Sequence, residues 1–218
     1  MKEYHKIQSM FKRDMANKGK MLFDQWTLPE FEYLKDNQWS FTEKVDGTNI
    51  RVMFDGEKIT YNGKTDNAQL PGDLIQTLHE MFDSKLELFK ETFNAKEGYE
   101  PGMTTVCFYG EGYGAGIQGG GSYRPNKSFV MFDILIGDFW LFRKDVKELA
   151  VKFGVDIVPV IGQGTLIEGI ELVKKGFNSK WGDFMAEGIV ARPLTELRTR
   201  RGERLITKIK HCDFYETN

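Results

Sequence analysis

The run Asn49-Ile50-Arg51-Val52-Met53-Phe54 alternates in character along an extended chain. Ile50, Val52 and Phe54 fall on one side and read as core; Asn49 and Arg51 share the other. Asp55-Gly56 follows, and Glu57-Lys58-Ile59-Thr60-Tyr61 resumes the strand pattern. Asp-Gly between two such runs is a strong signal for an antiparallel hairpin. Further on, Leu74, Ile75, Leu78, Phe82, Leu86 and Phe89 recur at helical spacing, which predicts one long amphipathic helix entered through Pro71-Gly72-Asp73. Strands are expected over Thr104–Tyr109, Ser128–Leu135, Glu187–Arg192 and Arg204–Lys210. A helix over Lys144–Phe153 ends at Gly154. Thr165 and Glu168 have capping-box spacing and open another, ending near Lys174-Lys175-Gly176.

The chain has 218 residues and 40% hydrophobic content, enough for one sizeable core. Its formal net charge of −2 excludes nucleic-acid binding through bulk charge, so any such contact needs a local patch. Cys107 and Cys212 lack metal-ligand spacing and read as reduced thiols of a cytosolic protein. His5, His79 and His211 form no triad-like spacing, there is no membrane-length apolar run, and no leader is expected. Residues 1–40 read as an accessory segment packed on a domain spanning 41–218, with a short helix expected near Pro29. Two glycine signatures fail on context. Gly63-Lys64-Thr65 follows a hairpin and lacks the upstream glycine of a phosphate-binding loop. Gly114-x-Gly116-x-x-Gly119 is not followed by a helix.

In Phe41-Thr42-Glu43-Lys44-Val45-Asp46-Gly47-Thr48-Asn49-Ile50-Arg51-Val52 a lysine stands beside a tight Asp-Gly turn. An isolated K-x-D-G is ordinarily a turn with an exposed lysine. Here companions follow in order: Tyr109-Gly110-Glu111, Ser128-Phe129-Val130-Met131-Phe132-Asp133, Glu187-Gly188-Ile189-Val190-Ala191-Arg192 and Arg204-Leu205-Ile206-Thr207-Lys208-Ile209-Lys210. These runs resemble motifs I, III, IIIa, IV and V of the covalent nucleotidyltransferases: DNA ligases, RNA ligases and mRNA capping enzymes. Gly47-Thr48-Asn49 is most similar to the RNA ligase 2-like family. The resemblance covers about residues 41–214. It implies an α+β nucleotidyltransferase (ATP-grasp-like) fold, with antiparallel sheets flanked by helices.

The resemblance further implies that Lys44 attacks the α-phosphate of ATP, releasing pyrophosphate and leaving lysyl-AMP. Glu187, Lys208 and Lys210 join Lys44 as catalytic residues. Glu43, Asn49, Arg51, Lys64, Glu111 and Phe129 are nucleotide-binding positions: Glu111 on the ribose, Phe129 stacked on the purine, and Lys64 where an arginine is usual. Phe132, on the opposite strand face, is assigned to the core. Glu187, Glu111 and Asp46 are the carboxylates for Mg²⁺ or Mn²⁺. Alternation places Arg192 opposite Glu187.

Lys208 and Lys210, two apart, share one strand face above Leu205, Thr207 and Ile209. Like charges so placed repel unless an anion lies between them. A lysine nucleophile must lose its proton from a reference pKa of ~10.4. One cation at ~4 Å and an effective dielectric of ~20 is worth about 4 kcal/mol, or roughly three pKa units. The two lysines and a bound divalent cation are thus sufficient in magnitude, and they also favour the crowded α-phosphate and departing pyrophosphate.

Little chain follows His211, where DNA ligases and capping enzymes append an OB domain and longer RNA ligases a helical one. The expected reading is a minimal RNA ligase, monomeric and cytoplasmic, that joins RNA ends in nicked duplex or single strands. Alternatives are a DNA ligase, a GTP-using capping enzyme, or an end-binding module without turnover. Arg198-Thr199-Arg200-Arg201-Gly202-Glu203-Arg204 is either a patch for an RNA backbone or a solvated loop.

Overall fold

The computed structural model describes residues 2–93 and 105–215. The chain forms two compact units, one of Met1–Tyr4 with Asp46–Val158 and one of His5–Val45 with Pro159–Asn218.

The first unit is built on a six-stranded sheet. Its strands run in the order Asp156–Ile157, Ser128–Ile136, Val106–Tyr113, Thr48–Phe54, Ile59–Asn62, with Phe139–Trp140 paired to Ser128–Ile136. All pairs are antiparallel except the one made by Asp156–Ile157. The expected hairpin is present, with Phe54 opposite Ile59 and Arg51 opposite Asn62. Gly56 turns it at φ +102°, a conformation that glycine adopts without a Cβ penalty. Ile50, Val52 and Phe54 are fully buried, and helical Leu74, Leu78, Phe82 and Phe89 cover them. Each such side chain contributes about 1.5–3 kcal/mol on burial. The helix differs from expectation. It is two helices, Gly72–Phe82 and Leu86–Phe93, separated by a 3₁₀ turn at Asp83–Lys85. Asp83 accepts bonds from the Tyr61 hydroxyl (2.6 Å) and meets His79 Nδ1 (2.8 Å), which fixes the break. The strand expected from Thr104 is observed as Val106–Tyr113; Thr104 lies outside the described residues. The helix before Gly154 is Arg143–Phe153, and Gly154 ends it at φ +59°.

The second unit holds a five-stranded sheet in the order Gln8–Ser9, Thr207–Lys210, Gly188–Pro193, Trp39–Glu43, Val160–Gly164. It is antiparallel apart from Gln8–Ser9, which runs parallel to Thr207–Lys210. Helix Leu166–Lys175 starts at the expected Thr165–Glu168 capping box. It buries Leu166, Ile170 and Val173 in one core with Phe41, Ile189, Ala191 and Ile209. The hairpin Phe11–Asp14 with Lys20–Trp26 and the short helix Pro29–Tyr33, with proline in its first turn, complete the unit. Among the described residues, no helix is long and apolar enough to cross a membrane.

Candidate active site

Three strands of the second unit set the lysines. Lys44 directly follows Trp39–Glu43, and its backbone N–H donates to Gly188 O (2.9 Å), extending the ladder by one residue. Its Nζ donates to Glu187 Oε2 at 2.6 Å. Glu187 stands just before Gly188–Pro193, with its carbonyl accepting from His211 N–H (2.8 Å). Its second oxygen, Oε1, lies 2.7 Å from Lys210 Nζ. Gly188 makes this close approach possible: a Cβ there would lie 2.2 Å from Ile209 O.

Strand Thr207–Lys210 pairs Lys210 with Gly188 and Lys208 with Val190. Thr207 and Ile209 are fully buried beneath, and Leu205 is buried too. The two lysines therefore share the other face, as alternation requires. Burial, first of all, pushes Lys208 below the ordinary lysine range; the positive charges of Lys44 and Lys210 act in the same direction, and Glu187 opposes them. Glu187 thus supplies a negative charge amid the lysines.

Glu43 is buried beside this cluster in sequence. Its Oε2 accepts from Lys180 N–H (2.8 Å), while buried Oε1 has no hydrogen-bond partner among the described residues. Arg13 and Asp213 join the cluster without a sequence signal of their own. Arg13, whose charge also lowers Lys208, is pinned by Asp213 Oδ1 (2.6 Å) and Ser9 Oγ (3.3 Å). Asp213 Oδ2 in turn accepts from Lys210 N–H (2.9 Å). The bond from Lys180 N–H to Glu43 joins residues 137 apart and leaves no local signal in the sequence.

The remaining sequence-derived positions lie in the first unit. Asp46 Oδ2 accepts from Gly119 N–H (2.9 Å), and Asp46 N–H donates to the Tyr123 hydroxyl (3.2 Å), so Asp46 anchors the glycine-rich loop. A Cβ on Gly47 would lie 2.3 Å from Gly112 O, which explains the glycine after Asp46. Asn49 pairs across the sheet with Glu111, and buried Asn49 Oδ1 has no partner among the described residues. Arg51 is fully buried and donates to Gly63 O (2.8 Å) and Asp66 Oδ1 (2.7 Å). It braces the turn that carries exposed Lys64.

The expected roles of Phe129 and Phe132 are corrected. Phe129 is fully buried in the apolar core, edge-on to Phe82 with centroids 5.7 Å apart, and packs under Gly110. Phe132 is partly exposed and meets the Tyr4 ring at 5.0 Å. The cause is a break in alternation. Asp133 pairs with Tyr109, yet Met131 pairs with Gly110, so Phe132 is an extra residue in the ladder. Phe129, Met131 and Ile134 consequently all enter the core.

Among the described residues, no three His, Cys, Asp or Glu side chains are grouped to hold a metal. Mg²⁺ needs only one or two protein carboxylates when phosphate oxygens and water complete its shell. Glu187 fits that limited role. Glu43 Oε1 in the second unit and Asn49 Oδ1 in the first are each a buried acceptor without a hydrogen-bond partner among the described residues.

Largely antiparallel sheets flanked by helices, with a carboxylate-bound lysine and two strand lysines, match the nucleotidyltransferase-type fold of solved RNA ligase structures. A family model described as RNA ligase matches residues 37–210, and the chain belongs to that family. Similar solved structures are variants of Naegleria gruberi RNA ligase. One, in apo form, is 18% identical with a TM-score of 0.64, over 97% of this chain and 58% of that one. Another, with ATP and Mn, is 17% identical with a TM-score of 0.64, over 95% and 57%. A third, with AMP and Mn, is 17% identical with a TM-score of 0.65, over 99% and 60%. The chain thus spans less than two thirds of the length of these proteins.

Proposed function

We propose that the chain is an ATP-dependent RNA ligase that works through lysyl-AMP. One observation carries the reading: Lys44 Nζ is held 2.6 Å from Glu187, whose other oxygen binds Lys210, with Lys208 on the same strand face. In the first step the Lys44 ammonium gives a proton to solvent and the amine so formed attacks the α-phosphate. An N–P bond forms, the P–O bond to pyrophosphate breaks, and the nitrogen then loses its second proton. Lys208 and Lys210 meet the phosphate charge that develops. Glu187 orients Lys44 and offers an oxygen to a divalent cation, which would supply further positive charge at the phosphates. AMP then passes to an RNA 5′-phosphate as the N–P bond breaks. A 3′-hydroxyl attacks that phosphate, and AMP leaves. Glu43 in the second unit, and Asn49 and Glu111 in the first, are assigned nucleotide contacts. Buried Glu43 Oε1 and Asn49 Oδ1, which have no hydrogen-bond partner among the described residues, support that assignment. The ATP and Mn in the Naegleria gruberi structures support the cofactor reading. The unbridged thiol Cys107 supports a reducing, cytoplasmic setting; burial pushes it up to about 12, which makes it inert.

Incubation with α-labelled ATP, followed by a denaturing gel, tests the reading. The wild-type chain should carry label and Lys44→Ala none. Label persisting on Lys44→Ala removes Lys44 as the nucleophile. Equal labelling by GTP moves the chain to capping chemistry.

A further inference from the structure

Residues 198–204 of the second unit form a pre-organised turn with two arginines at its tip. Arg198 and Arg204 bridge at its base, and Thr199 N–H donates to Glu203 O (2.8 Å). Gly202 N–H donates to Thr199 O (2.9 Å), closing a four-residue turn, and Gly202 takes φ +81°. The Thr199 hydroxyl accepts from Arg201 N–H (3.2 Å) and Glu203 N–H (3.3 Å), which stiffens the tip. The arginines fall into two pairs. Glu196 lies 3.1 Å from Arg204 and 3.6 Å from Arg198, so the base pair shares one carboxylate. Arg200 and Arg201 are exposed and have no ion pair or side-chain hydrogen bond among the described residues.

Arg200 also lines a groove of about 480 Å³ with Pro29, Glu30, Tyr33 and Leu34. Tyr33 is 85% exposed at the end of the short helix Pro29–Tyr33. An unpaired guanidinium pair on a rigid turn, beside an exposed aromatic ring, combines the two contacts that a nucleic-acid strand uses. Phosphates take the arginines and an unstacked base takes the ring. The overall charge of −2 makes such a local patch necessary for RNA binding.

We propose that Arg200, Arg201 and Tyr33 form an RNA-strand docking surface: the arginines bind successive phosphates and the tyrosine ring stacks a base. The inference rests on the RNA ligase reading and extends it to how the substrate is held. None of these side chains takes part in the chemistry assigned to Lys44.

The test measures binding of a 5′-phosphorylated RNA by the full chain across about 50–400 mM salt, with lysyl-AMP formation assayed in parallel. Two lost phosphate contacts should reduce the slope of log affinity against log salt by about 1.4 for a single strand. The double variant R200A/R201A should show that loss, whereas R200K/R201K should largely keep the wild-type slope. Tyr33→Ala should weaken binding on the order of 10-fold, and Tyr33→Phe should not. Lysyl-AMP formation should be unchanged in every variant. A wild-type salt slope in R200A/R201A overturns the inference and makes the patch a surface for something other than RNA. Wild-type protein that binds no RNA also overturns it. The lysyl-AMP assay reports on the ligase reading independently in either case.

Discussion

Replacing Phe129 by alanine should destabilise the first unit rather than disable nucleotide chemistry. The ring is fully buried, edge-on to Phe82 at 5.7 Å and 77°, and fills the space over Gly110, where a Cβ would lie 2.3 Å from it. Emptying such a site costs about 3–5 kcal/mol, of which the edge-to-face pair accounts for about 0.5–1.5 kcal/mol. In a chain of this length each kcal/mol moves the melting temperature by about 2–4 °C, so the transition should fall by roughly 6–20 °C. Phe132 is partly exposed and makes a T-shaped contact with Tyr4 at 5.0 Å, so Phe132→Ala should cost on the order of 1 kcal/mol. Calorimetry of the two variants, with lysyl-AMP formation measured well below both transitions, separates the effects. A Phe129→Ala protein that melts like wild type but fails to use ATP would refute the strand phase described here. It would restore Phe129 to the purine.

Two further outcomes follow from the titrating and partnerless groups. Lys208 is held below the ordinary lysine range, chiefly by burial, so the folded chain binds its proton less readily than the unfolded chain. That penalty is present at neutral pH and lifts as pH rises through the lowered value toward ~10.4. Wild-type unfolding free energy should therefore rise relative to Lys208→Met across the alkaline window just below ~10.4; parallel curves in denaturant titrations contradict this. Asn49→Ala should raise the KM for ATP without lowering the melting temperature, because the buried Asn49 Oδ1 has no hydrogen-bond partner to lose among the described residues. A clear drop in stability would show that the oxygen serves the fold.

The parts of this fold that rest on short-range physics were legible in the sequence. Asp55-Gly56 marked its hairpin, Thr165 and Glu168 their capping box, and Gly154 its helix stop. The alternation at Thr207–Lys210 placed Lys208 and Lys210 together, because nothing interrupts that ladder. The same reasoning failed at Ser128–Ile136. The extra residue at Phe132 is visible only in the pairing with Val106–Tyr113, and a period of two carries no record of it. The helix break at Asp83 was equally hidden, since Tyr61 lies 22 residues away in sequence. The parting of motif I also left no local trace: Lys44 and Val45 belong to one unit and Asp46 to the other. Long-range partners explain Arg51 too. Its polar face suggested a ligand, but its guanidinium is satisfied by Gly63 and Asp66.

The register of the second unit's sheet is what turns separate motifs into one charge cluster. Lys44, Glu187 and Lys210 are far apart in the chain, yet each stands at or beside the same rung. Lys44 N–H and Lys210 both address Gly188, the residue after Glu187. A slip of one residue in Thr207–Lys210 would turn Lys208 and Lys210 into the core and bring Thr207 and Ile209 to the surface. The buried positions of Leu205, Thr207 and Ile209 oppose that slip, so apolar packing beneath the strand fixes the charges above it. Gly188 is the second condition. With any side chain there, Ile209 O would be 2.2 Å from the new Cβ, and the strands would have to separate where Glu187 bridges the two lysines. Core packing, a glycine contact and the ion pairs at 2.6 and 2.7 Å are therefore one mechanical unit. The lysines can face one another because the glutamate between them is held by the same ladder that aligns them.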